Sequence, residues 1–261
     1  MLSVVTATEF IKIMKSGRTA PILCRCAHEN GKSAGEFVVK LRQSIGGTRG
    51  LLQEFLGSRL ASHFGILVPE AVAVNIDLEF AEALEEQDRN LAASAKASIG
   101  LNFGSTMINP AATTWLVERT IPDAMWRDAV NIFAFDALIQ NPDRRSANPN
   151  LFTQGDSIYV YDHETSFSFL LAVVRSAEPW NLEREEYLTQ HVFYRRLKSK
   201  EIDLDDFEAR LQALTGDVLA QVREEIPDEW MHADLEQIEA HLSAVRDHHE
   251  QFREQLRRRL A

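Results

Sequence analysis

Residues 141–164, NPDRRSANPNLFTQGDSIYVYDHE, hold the side chains best suited to chemistry. Asp143 and Asn148 lie five positions apart, and Asp162 follows fourteen positions after Asn148. A turn centred on Gly155-Asp156 would fold the ribbon back and bring Pro149 beside Asp162. Three oxygen-bearing side chains then converge at one mouth. A hard cation such as Mg²⁺ takes carboxylate and amide oxygens together with phosphate oxygens. A carboxylate not engaged by the cation can accept a proton from an attacking hydroxyl. Together these are the parts that phosphoryl transfer needs. Alone, each of the three reads as a turn residue bonded to its own backbone. As a set, with an apolar helix before them and a hairpin between, they read better as a metal–phosphate site.

The elements around this stretch follow from its flanks. Ala124–Gln140 is a strongly apolar helical pattern that stops at Asn141-Pro142. Short strands are expected near Asn150–Thr153 and Ser157–Tyr161. Earlier, Glu9–Met14, Pro21–Cys26, Glu36–Leu41, Pro69–Ile76 and the GLNFGSTMI segment read as strands. A helix from Arg49 to Phe64, capped by Thr48, sits among them, and residues 78–98 read as helical. Beyond Trp180 the chain reads as helical to its end, with a break near Pro227.

Composition bounds the rest. The 261 residues suit one large domain or two intimate lobes, and no repeat or low-complexity linker divides them. A net charge of −11 argues against nucleic acid as the primary partner. Arg257, Arg258 and Arg259 read as cations at a helix C-terminus. Cys24 and Cys26 share one strand face and read as small buried side chains rather than half a metal site. No signal peptide or membrane span is expected, so the reading is a soluble cytoplasmic protein with no membrane partner. His248-His249 and the run Glu201–Glu208 read as solvated helix surface and an acidic helix start. Signatures for P-loop NTPases, zincins and α/β-hydrolases are missing.

The spacing D-x-x-x-x-N, a hairpin and then an Asp resembles the core of the protein-kinase-like superfamily. Asp143-Arg144 with Asn148, together with NPDRRSANPNLF and YDHE, most resembles the bacterial HipA-like kinases. EFVVKL (Glu36–Leu41) resembles the strand carrying the nucleotide lysine, and EFLGSRLASHFGILVPE the helix carrying its glutamate partner. IPDEW (Ile226–Trp230) fits the same pattern. The resemblance implies an α+β bilobal fold, with a β-rich N-lobe of residues 1–108 and a mostly helical C-lobe of residues 109–261. It implies Asp143 as catalytic base, and Asn148 and Asp162 as Mg²⁺ ligands. Lys40 would meet ATP phosphates, oriented by Glu54. Ser16-Gly17-Arg18-Thr19 would cover the phosphates, and Met107 and Ile108 would form the adenine hinge.

The implied activity is γ-phosphoryl transfer from ATP to a protein serine or threonine, as in the toxin of a toxin–antitoxin pair with a cognate antitoxin. Two alternatives stay open: an inactive kinase-like module holding nucleotide or a partner, and a lipid or small-molecule kinase. The chain departs from related kinases at three points: one glycine, Gly17, in the phosphate loop, Arg145 where histidine is frequent, and D-H-E in place of D-F-G. Hydroxyls at Thr165, Ser166 and Ser168 suggest self-phosphorylation.

On residue grounds alone, Lys40 reads either as a solvated edge-strand lysine or as a functional cation. Glu54 lies opposite the stripe Leu52, Leu56, Leu60, Phe64, beside Gly57 and Ala61. It is therefore either exposed or packed on a second, close-approach face.

Overall fold

The computed structural model describes residues 2–14, 20–108, 112–116, 119–172 and 176–261. The chain is mixed α and β and divides into two compact units. One comprises Met1–Leu56, Pro69–Asn109 and Glu224–His232, the other Gly57–Val68, Pro110–Arg223 and Ala233–Ala261.

The first unit is built on strands β1 (Val4–Ile13), β2 (Ile22–Ala27) and β3 (Ser33–Lys40), helix α1 (Gly47–His63, which continues into the second unit), and β4 (Ala71–Ile76). Two short helices, α2 (Leu78–Ala83) and α3 (Arg89–Lys96), precede β5 (Gly100–Thr106). The strands close into a barrel in the order β1-β2-β3-β5-β4, with β1 and β4 parallel. Closure is not legible in the strand pattern, which fits an open sheet equally well. Two register irregularities in β1, between Ala7 and Glu9 and between Phe10 and Lys12, supply extra bend.

Alternation along β2 turns Ile22, Cys24 and Cys26 into the core with Phe37, Val39, Val72 and Val74. Arg25 points out and pairs with Glu9 at 2.6 Å and Glu36 at 3.5 Å. The two thiols are buried with their sulfurs 3.9 Å apart. The helical stretch expected over residues 78–98 is two helices. Asp88 interrupts it by accepting the backbone N–H groups of Asn90 (2.8 Å) and Leu91 (3.0 Å), and so caps α3.

The second unit centres on α4 (Asp123–Leu138), which follows the short strand β6 (Thr113–Thr114). From Ala129 to Leu138 every residue of α4 is buried, as an apolar-all-round helix requires. The hairpin β7 (Leu151–Gln154) and β8 (Ser157–Val160) turns at Gly155-Asp156, with Leu151 opposite Val160. Helices α5 (Tyr194–Leu197), α6 (Asp205–Gln212), α7 (Gly216–Glu224), α8 (Asp234–Asp247) and α9 (His249–Leu260) complete the chain.

The continuous helix expected beyond Trp180 is absent among the described residues as far as Phe193. There Asn181 Oδ1 accepts the Glu183 N–H at 3.0 Å, and a 3₁₀ turn forms only at Glu186–Gln190. Phe64, at the C-terminal end of α1, stacks on Phe207 at 4.7 Å and tilts against Phe135 at 5.7 Å. His248 and His249 diverge, one stacked on Trp180 and the other bonded to Glu208.

Candidate active site

The loop after α4 is organised by one buried carboxylate. Asp136 is fully buried near the end of α4, where an isolated charge would be costly. It receives Arg144 Nε at 2.6 Å and His191 Nε2 at 3.0 Å on one oxygen, and Asn141 Nδ2 at 3.0 Å on the other. Burial alone would raise its pKa. The Arg144 guanidinium and the His191 imidazole more than offset that and hold it at about 2. Burial also lowers the His191 pKa, against the pull of Asp136. Arg144 is itself completely buried, and its Nη1 donates to the carbonyls of Asn150 (2.7 Å) and Tyr161 (3.2 Å). The guanidinium thus ties the loop to both strands of the hairpin at the end away from its turn, immediately before Asp162.

Asp143 stands in contrast. Its side chain is 24% exposed and accepts from Asn148 Nδ2 at 2.8 Å, Arg145 at 3.0 Å and Asn150 Nδ2 at 3.4 Å. Its backbone N–H donates to Asn141 Oδ1 at 3.1 Å, which fixes the turn. An amide that donates through nitrogen keeps its oxygen as an acceptor, the atom a hard cation takes. Asp162 adopts a left-handed backbone, φ 61°. Gln140, Asn150 and Phe167, at φ 45°, 48° and 60°, do likewise, so left-handed backbone gathers around this loop and hairpin.

The chain after Asp162 is pinned to the end of α4. Phe167 N–H donates to Ile139 O at 2.6 Å, and Ser168 N–H to Gln140 O at 3.2 Å. Sequence reasoning passed over Glu164. One of its carboxylate oxygens lies within 4.8 Å of one from Asp162. Two neighbouring carboxylates offer hard oxygen donors, which suit Mg²⁺ better than a soft metal.

In the first unit Lys40 and Glu54 form an ion pair, both buried. Lys40 is no edge residue: β3 lies between β2 and β5, and Lys40 sits opposite Phe103. Glu54 is no surface residue either, because every position of α1 from Gly50 to Ser58 is buried. The second face that small residues make available is real. Met107 continues β5, with its N–H donated to Glu36 O at 3.0 Å, and Ile108 follows it half-buried. Ser16, Gly17, Arg18 and Thr19 lie outside the described residues.

Residues 7–259 match the HipA-like kinase family. No curated protein matches the chain in sequence. Among solved structures, the chain is similar to the Helicobacter pylori proinflammatory kinase CtkA, with a TM-score of 0.51, 10% identity and coverage of 95% of this chain and 98% of that one. A complex of Neurospora crassa PAN2 with PAN3, which includes a pseudokinase, gives a TM-score of 0.33 at 10% identity, covering 95% of this chain and 64% of that one. The CtkA likeness shows a kinase-type fold. The second likeness carries no weight.

Proposed function

The chain belongs to the HipA-like kinase family, and on that premise we propose that it transfers the γ-phosphoryl group of Mg·ATP to a protein serine or threonine hydroxyl. One observation carries the reading: Asp143, a half-exposed carboxylate, is steered by Asn148 at 2.8 Å on a loop locked from beneath by Arg144 and Asp136. Such a loop presents one carboxylate to a reactant and keeps another out of reach.

In this reading Asp143 takes the acceptor hydroxyl proton as the new O–P bond forms and the bond to the ADP oxygen breaks. Asn148, Asp162 and Glu164 would hold Mg²⁺, which would supply charge neutralisation to the triphosphate when bound. Lys40 contacts the phosphates and Glu54 orients it. Residues 1–108 act as the nucleotide-covering lobe, with Ser16–Thr19 over the phosphates and Met107 and Ile108 at the adenine. Residues 109–261 act as the catalytic lobe. The same reading places the enzyme in a reducing cytoplasm, where the buried thiols of Cys24 and Cys26 stay unbridged. A toxin role with a cognate antitoxin belongs to it too, and a small co-encoded gene neighbour is the observation that tests that part. No helix among the described residues is long and apolar enough to cross a membrane.

The test is phosphate transfer from labelled Mg·ATP by the full chain and by Asp143→Ala. The expected result is loss of transfer with an unchanged melting temperature. A Mg·ATP thermal shift in the wild-type chain, with no phosphate released or transferred, would establish the inactive binding module instead.

A further inference from the structure

The segment Glu224–His232 lies far along the chain from the barrel, yet packs within the barrel's own unit. Pro227 introduces a single 3₁₀ turn, Asp228–Trp230, which presents two adjacent side chains. Trp230 is fully buried. Its ring centroid lies 6.2 Å from that of Phe55 and 6.3 Å from that of Phe103, tilted against both. Phe55 directly follows Glu54 on α1, and Phe103 is the cross-strand partner of Lys40. One indole therefore touches the neighbour of each member of the ion pair.

Polar contacts fix the same turn. Trp230 Nε1 donates to Leu101 O at 2.9 Å. The Glu229 carboxylate accepts from Arg42 at 2.7 Å, two residues beyond Lys40, and from the Leu101 N–H at 3.1 Å. Arg42 also donates to Ile99 O at 2.6 Å. Gly100 between them has φ +110°, and a Cβ there would stand 2.5 Å from Glu229 Oε2. The Arg42–Glu229 pair is too exposed to add much stability, so its effect lies in fixing geometry.

We propose that Trp230 and Glu229 are positioning residues for the Lys40–Glu54 ion pair, forming a brace that sets the spacing of β3, β5 and α1. The proposal rests on the reading of Lys40 as the nucleotide lysine. A buried aromatic wedge between a strand and a helix resists their relative shift, because a close-packed interior cannot deform continuously.

The experiment is a double-mutant cycle on the full chain. Trp230→Leu, Trp230→Phe and Glu229→Gln are made in the wild-type and Glu54→Gln backgrounds. Readouts are kcat and KM for ADP formation from Mg·ATP, and calorimetric affinity for the magnesium complex of β,γ-imido-ATP, which stays measurable where turnover is lost. Trp230→Leu is expected to lower kcat/KM about 10–100-fold, and Glu229→Gln about 3–10-fold with little change in melting temperature. Trp230→Phe keeps a ring in place and recovers most of the loss. In the Glu54→Gln background each further loss shrinks to about twofold, because the brace acts through that pair.

Unchanged kinetics in the brace variants, or losses that add fully in the Glu54→Gln background, overturn the proposal. If Trp230→Leu does not fold, Glu229→Gln and Trp230→Phe carry the cycle. Lys40→Met separates the two possible failures. A fully active Lys40→Met variant removes the reading of Lys40 itself. An inactive one with additive brace losses removes only the brace.

Discussion

Gly57 of α1 approaches His163 so closely that a Cβ at position 57 would stand 2.3 Å from the histidine Cβ and 2.5 Å from its Cγ. His163 directly follows Asp162, and Gly57 lies one helical turn beyond Glu54. A methyl group there must displace either the helix or the segment that carries Asp162. Glycine in a helix interior costs about 1 kcal/mol relative to alanine, so a tolerated Gly57→Ala would stabilise the chain. Overpacking costs about 1–3 kcal/mol and should win here. The expected outcome is a melting temperature unchanged or lowered and Mg·ATP turnover reduced at least tenfold. A more stable, fully active variant would show that the contact relaxes freely.

Arg144→Lys separates charge from shape. Arginine reaches Asp136 through Nε and two hairpin carbonyls through Nη1. A single ammonium cannot span all three positions. The buried carbonyl of Asn150 and the half-buried one of Tyr161 would lose a shared donor while the charge opposite Asp136 survived. Destabilisation of about 2–3 kcal/mol is expected from urea unfolding. Turnover should fall further than the stability change explains, because the bond that sets the hairpin against the Asp143 loop is gone.

Much of this arrangement was legible in the sequence, for identifiable reasons. The strand–strand–strand–helix–strand order was readable from alternation and turn chemistry, and the β7–β8 turn from Gly155-Asp156. The small residues opposite the leucine stripe of α1 allowed a second buried face, and Gly57 provides it. Barrel closure was not legible, because pairing β1 with β4 depends on curvature that no local pattern encodes. Asp136 was hidden within an apolar run, and its partner His191 lies 55 residues away. Only the general rule that a buried charge needs a partner could have flagged it. Glu164 reads in sequence as a departure from D-F-G and not as a donor, because its closeness to Asp162 arises only in the folded chain.

Acid should destabilise the protein well above the carboxylate range. His241 is buried against Phe169, with Nε2 2.8 Å from Leu138 O, and burial pushes its pKa down to about 4. The unfolded chain takes up that proton near pH 6.5, so stability falls as pH drops from 6.5 to 4 and the full loss is reached below that. The shift corresponds to about 3 kcal/mol. His191, whose pKa is also lowered by burial, acts in the same direction. Asp136 adds its own loss only in stronger acid, as pH falls from about 3.8 through about 2. Urea midpoints measured at pH 7, 5.5 and 4.5 should decline, and His241→Gln should flatten the curve by close to one proton. An equal slope in both proteins would exclude His241 as a source of the decline.

The buried pair in the first unit allows function to be separated from folding. Lys40→Met keeps the aliphatic stem but removes the cation opposite Glu54, which is 2% exposed. A carboxylate left in that environment should cost about 3 kcal/mol or more, since breaking a buried pair from one side is the expensive change. Lys40→Met with Glu54→Leu replaces both partners by apolar groups and should recover most of that loss. If Lys40 makes the phosphate contact proposed above, nucleotide chemistry should not recover with it, because that cation is still missing. The measurement is urea stability alongside kcat/KM for Mg·ATP in the single and double variants. Stability regained without activity is the outcome expected of a functional ion pair. If turnover returned together with stability, the pair would be a packing device, and the phosphate contact would belong to another cation.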